Sequence, residues 1–218
     1  MSLREWAVPP LPGEDLVERE VTVGGTTASI AAHDRFVDAL DMVVEQVGAL
    51  GDLAEGTELA RTWGVIRFEE RDGVLRATTQ DSRSVLEIAS KRVTDLSQLL
   101  WVEESWRAVA AAAGFEADVD VHFRRTKIWV TRQMLDRREP AELRHEAGKA
   151  AWFLGEQPFD ERLSTNLAGS MKFAGNVFAS RPEVIPAMAV PVGWKALVDH
   201  DRGIYEIRDG DDRVVHAE

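Results

Sequence analysis

The chain of 218 residues contains no cysteine, and that absence is informative. It excludes disulfides, thiolate nucleophiles, thiolate zinc sites and iron–sulfur clusters. No run of eighteen apolar residues occurs, so no transmembrane helix is expected. The opening "MSLREWAVPPLPGEDL" has no apolar stretch of the kind a secretory signal needs, so none is expected there. Positive charge is also short: 26 Lys and Arg stand against 38 Asp and Glu, a formal net charge of −12. Nucleic-acid binding needs a cationic footprint that releases counterions, and this field has the wrong sign. The same sign disfavours an anionic membrane surface and favours steering of a basic protein partner. Together these readings give the expectation of an acidic, cytoplasmic protein, and the preference for Arg and Ala suggests a GC-rich bacterial source.

What is present is enough for a sizeable core: 44% hydrophobic residues with seven Trp and eight Phe. Residues 1–13 hold Pro9, Pro10, Pro12 and Gly13 and read as an extended arm pinned by Trp6. From 14 to 218 a single domain is expected, with a possible subdomain break in "LDRREPAE" near 135–142. Alternation in "LVEREVTVGGTTASI", with Gly24-Gly25 as the turn, predicts a hairpin. Phe36, Leu40, Val43, Val44 and Val47 follow at helical spacing. "TWGVIRFEERDGVLRATTQ" predicts a second hairpin about Asp72-Gly73. Thr94 or Asp95 can cap a helix that carries Leu99, Val102, Trp106, Val109 and Ala113 and stops at Gly114. A third hairpin is expected in "DVDVHFRRTKIWVTR".

Pro140 opens a predicted helix with Leu143, Ala147, Ala150 and Leu154 inward, and another is expected over 160–179 despite Gly169 and Gly175. "SRPEVIPAMAVP" reads as a loop or edge segment because of its prolines. Strands over 193–199, 204–209 and 213–216 close the chain as a β-meander. The fold class is therefore α+β, a mainly antiparallel sheet of successive hairpins with helices on one face.

Motifs that carry chemistry are few. His33, His122, His145, His200 and His216 include no pair spaced i, i+4, so no helical zinc pair forms and no metal or cofactor is expected. His33 lies at a helix start where Asp34 is the better cap. His145, in "ELRHEAGK", falls on a predicted solvated helix face with Glu146 and Lys149. Ser170 and Lys172 are two apart rather than three, and no nucleophile elbow or phosphate loop occurs. Asp199-x-Asp201-x-Gly203 has its glycine one place early for a calcium loop and reads as a turn. Trp63, Trp106 and Trp129 are expected in the core.

The tail "VPVGWKALVDHDRGIYEIRD" resembles the C-terminal signature of an immunity-protein family from bacterial polymorphic toxin systems, matching at Pro191, Gly193, Trp194, Lys195 and Tyr205. The resemblance spans about twenty residues and implies a non-enzymatic protein that neutralises a toxin by binding it. The expected function is thus binding of a basic protein partner, immunity-, antitoxin- or chaperone-like. The candidate contact residues are Trp194, Tyr205, Asp199, Asp201, Asp211 and Asp212, with Trp194 expected to be buried and the acidic turns exposed. The alternative is an enzyme or small-ligand domain whose site gathers scattered His and carboxylates around His122 or His145.

Overall fold

The computed structural model describes residues 2–82, 91–117, 121–122, 125–131, 139–146, 152–156 and 169–218. The chain divides into two compact units, one of residues 9–104 and one of residues 1–8 with 105–218. Each unit holds one sheet.

In the first unit Leu16–Val23 (β1) and Thr26–His33 (β2) pair antiparallel across Gly24 and Gly25. Both glycines have positive φ, 59° and 87°, as a two-residue turn that follows strand twist requires. Val65–Arg71 (β4) and Val74–Gln80 (β5) repeat the device at Asp72 and Gly73, with φ of 54° and 75°. Glu58–Ala60 (β3) lies outside β4, and Arg92–Val93 (β6) pairs with β5. The order is β1-β2-β5-β4-β3, and β2·β5 is the parallel contact. The helix Val37–Gly48 (α1) buries Ala39, Leu40, Val43 and Val47 and packs on β1 and β2. At its entry the His33 ring, rather than Asp34, accepts from the backbone, taking the amide of Arg35.

The helix Ser97–Ala113 (α2) spans the boundary between the units, which falls after Glu104. Asp95 starts it by accepting from the Ser97 amide at 2.8 Å. Leu99, Leu100, Trp101 and Val102 are all buried, a wider apolar surface than one stripe.

In the second unit Lys127–Thr131 (β7), Ala141–His145 (β8), Trp152–Glu156 (β9), Gly169–Phe173 (β10), Lys195–Asp199 (β11), Gly203–Arg208 (β12) and Val214–Ala217 (β13) form one sheet. Its order is β10-β7-β9-β8-β11-β12-β13, with β7·β9 parallel and the other pairs antiparallel. The α+β class and the terminal meander therefore hold, and among the described residues the strands are distributed over two sheets rather than one.

Several expected elements are replaced in this unit. Over its described residues the helix predicted from Pro140 is the antiparallel pair β8 and β9, with Leu143 opposite Leu154 and both fully buried; Ala147 and Ala150 lie outside the described residues. Two inward strand positions eleven residues apart imitate helical spacing, and the aromatic pair Trp152-Phe153 suits a strand. The helix predicted over 160–179 is strand β10 followed by the short helix Ala174–Ser180 (α3); residues 160–168 lie outside the described residues. Extended backbone at Phe173, φ −72° and ψ 150°, separates the two. The third predicted hairpin falls largely on residues 118–120 and 123–124, which lie outside the described residues; its predicted return strand is β7, which pairs with β10 and β9.

The proline-rich segment expected as a loop is a 3-10 helix, Pro182–Ala189, whose residues from Glu183 onward are buried. Pro182 stands at its first turn, where no donor is needed, and burial of Val184, Ile185 and Met188 drives it inward. The N-terminal segment begins with a single 3-10 turn, Leu3–Trp6, packed against β12 with Leu3 and Trp6 buried. No helix among the described residues is long and apolar enough to cross a membrane.

Candidate cleft at the root of the terminal meander

Strands β8 and β11 place the site. Arg144 stands opposite Lys195 in their register. The pairing runs on past the strand ends: the His145 amide donates to the Trp194 carbonyl at 3.0 Å, and the Gly193 amide donates to the His145 carbonyl at 2.7 Å. This brings Trp194 beside His145. The turn after β12 approaches from the other side. Asp209 Oδ1 accepts from the amides of Asp211 and Arg213, at 2.9 and 3.0 Å, and Asp212 takes a left-handed φ of 64°. Between these segments lies a cleft of about 250 Å³, lined by Arg144, His145, Glu146, Gly193, Trp194, Lys195, Asp209, Gly210 and Asp212.

The His145 ring is held on two sides. It stacks on Trp152, its direct cross-strand neighbour, at 3.8 Å and 15°. Its Nδ1–H donates to the Val190 carbonyl at 2.7 Å. That bond fixes the tautomer and leaves Nε2 with its lone pair and no hydrogen-bond partner among the described residues. Burial lowers the His145 pKa below its ordinary value, and the bond to Val190 offsets part of the shift, so the ring is neutral at pH 7.

Trp194 meets Phe115 edge-to-face, with centroids 5.4 Å apart. It is half-buried, not buried as expected, because it lines the open cleft. The charges around it are mostly matched. Lys195 Nζ lies 2.5 Å from Asp212 Oδ1, and Arg208 Nη1 lies 3.4 Å from Asp212 Oδ2. The bond from Lys195, reinforced by the charge of Arg208, holds the Asp212 carboxyl below its usual range. Arg208 also pairs with Glu206, which raises its own pKa further. Arg144 pairs with the buried carboxylate of Glu142, and Asp209 lies 3.3 Å from the guanidinium of Arg213. Glu146 is exposed and has no ion pair among the described residues.

Of the residues selected from sequence, Trp194 and Asp212 line this cleft. Tyr205, on β12, lies under the guanidinium of Arg202 at 5.0 Å instead. Asp199 accepts from the amides of Asp201 and Arg202, closing the β11–β12 turn, and Asp201 is exposed at that turn. Asp211 is exposed and pairs with Arg213. Of the histidines, His145 lines the cleft, and it sits on a strand rather than on a solvated helix face. His122 does not line the cleft. Trp63 and Trp106 are buried as expected, whereas Trp129 is half-buried. Arg144 and Asp209 had no motif to mark them, since strand register and a turn bring them together. A comparison with family models, curated proteins and solved structures finds no match to the chain.

Proposed function

We propose that this chain is a non-catalytic binding protein of the bacterial cytoplasm that docks a protein partner on its C-terminal unit, as an immunity protein, antitoxin or chaperone-like module does. The observation that supports the reading best is the convergence of a half-exposed tryptophan, Trp194, with the exposed acidic turn 209–213 on one cleft. Tryptophan in a pocket with a charged rim is the usual make-up of an interface hot spot. The net charge of −12 adds a field that would draw a basic partner. The test is to mix the purified chain with the product of the adjacent gene at micromolar concentration. A stoichiometric complex by calorimetry, and protection of cells that co-express the two, supports the reading. No complex with either neighbouring product removes it.

A second reading has one observation in its favour. The neutral His145 lies in a cleft with Glu146, Asp209 and Asp212, and its Nε2, without a partner among the described residues, can accept a proton. A screen of chromogenic esters and phosphate esters tests it. Turnover abolished in His145→Asn would favour an enzyme over a binding module.

A further inference from the structure

The cleft has a charge asymmetry that its shape alone does not reveal. Each cation on its wall already holds a carboxylate, Lys195 through Asp212 and Arg144 through Glu142. The Asp209 carboxylate spends one oxygen on turn amides and faces Arg213 with the other. Glu146 is left over, exposed and without a cation among the described residues. The wall adds a further acceptor, Nε2 of His145, beside the donors of the Trp194 indole and the Lys195 ammonium. An indole is the aromatic group that attracts cations best, and Trp194 supplies one in half-exposed form. An anion entering here would meet a surplus carboxylate and a lone pair. A purely apolar group would strand both acceptors without partners. A cation with hydrogen-bond donors satisfies all three elements.

We infer that the cleft is a receptor for one basic side chain, an arginine or lysine presented by the protein partner, held between the Trp194 indole and the Glu146 carboxylate with Nε2 of His145 accepting one of its donors. Its volume, about 250 Å³, suits one such head group and part of its aliphatic stem rather than a larger cofactor. The inference rests on the protein-docking reading and names the chemistry of the docked group. A flat guanidinium fits this set better than an ammonium, because it can stack on the indole while its edge reaches both acceptors.

The full chain is titrated with butylguanidine, which carries the guanidinium on a short stem, and with butylurea, its neutral isostere. The readout is the Trp194 indole resonance, assigned by its loss in Trp194→Phe. Butylguanidine is expected to shift it saturably with a Kd on the order of millimolar, and butylurea is expected not to. Glu146→Gln removes an exposed charge that has no ion pair among the described residues and leaves the fold intact. It is expected to weaken butylguanidine about fivefold, the size of one exposed ion pair. Absence of a saturable shift, equal response to butylurea, or an unchanged Kd in Glu146→Gln overturns the inference.

The two readings fail separately. If the adjacent gene product binds wild type, Glu146→Gln and Trp194→Phe equally, the receptor assignment fails and docking stands. If no such product binds while butylguanidine still titrates the cleft, docking fails and the cation site stands.

Discussion

At the residue scale the most specific device is the fixed tautomer of His145. Its pKa is lowered in the fold mainly by burial, so the folded chain resists protonating a ring that the unfolded chain accepts at about the ordinary value of 6.5. Between those two values the unfolded state binds more protons. Stability from this residue is therefore complete above about pH 6.5 and is lost as pH falls toward and through the lowered value. The charges that line the same cleft are Arg144 and Lys195 against Glu146, Asp209 and Asp212. His145→Asn keeps a donor able to reach the Val190 carbonyl and removes the titration. Urea unfolding between pH 7 and pH 5 should show a flatter pH dependence for the variant than for wild type, and equal slopes would remove His145 as the cause. Little of this was legible beforehand. Trp194 and the acidic turn could be read from the tail, because turn residues announce themselves locally. The His145–Trp152 stack could not, because cross-strand opposition depends on which strands pair, and Leu143 and Leu154 happened to satisfy a helical period.

At the element scale the 3-10 helix Pro182–Ala189 carries the most expensive group in the C-terminal unit. Arg181 and Glu183 are 2% and 1% exposed, and Arg181 Nε donates to Glu183 Oε1 at 2.7 Å. His200 Nδ1 lies 3.5 Å from the same oxygen. Removing one partner of such a pair strands a desolvated charge, so Arg181→Met should cost about 3–5 kcal/mol in chemical denaturation. Adding Glu183→Leu to that variant should recover most of the loss, since an apolar pair needs no solvation; failure to recover would mean that the pair orders the segment. The start of β12 is constrained differently. Gly203 has φ of 69°, and a Cβ there would stand 3.1 Å from the Cβ of Ala7. Gly203→Ala should therefore lower stability by about 1–3 kcal/mol through strain and displacement of the N-terminal turn. A neutral result would overturn both the backbone strain at Gly203 and the contact with Ala7 as constraints. Such elements mark the limit of sequence reading. The hairpins at Gly24-Gly25 and Asp72-Gly73 were readable because both strands and turn lie within twenty residues. The parallel contacts β2·β5 and β7·β9 join segments with no shared local pattern, and nothing in the sequence marks them.

At the scale of the whole molecule, the pattern least visible in sequence is the union of the chain ends. Glu218 accepts from the Leu3 amide and from the Ser2 hydroxyl, across 215 and 216 residues, so the meander that bears the cleft is closed by the N-terminus. Charge, by contrast, was fully legible, and it leads to a kinetic prediction. Near the cleft the carboxylates are largely matched in pairs, so local contacts add little long-range field. The net charge of −12 belongs to the chain as a whole. A distributed charge of one sign accelerates encounter with a basic partner and is screened by salt beyond a Debye length of about 8–10 Å. A single contact inside a cleft acts mainly on dissociation. The two effects should separate in stopped-flow or surface measurements with a protein that the proposed docking test identifies as a partner. Raising ionic strength from about 0.01 M to about 0.15 M should reduce the association rate constant about tenfold or more and change the dissociation rate constant little. Glu146→Gln should do the reverse, leaving association within about twofold and speeding dissociation about fivefold. A salt-independent association rate would mean that the acidity of the chain does not recruit the partner, and it would leave the cleft as the only source of selectivity.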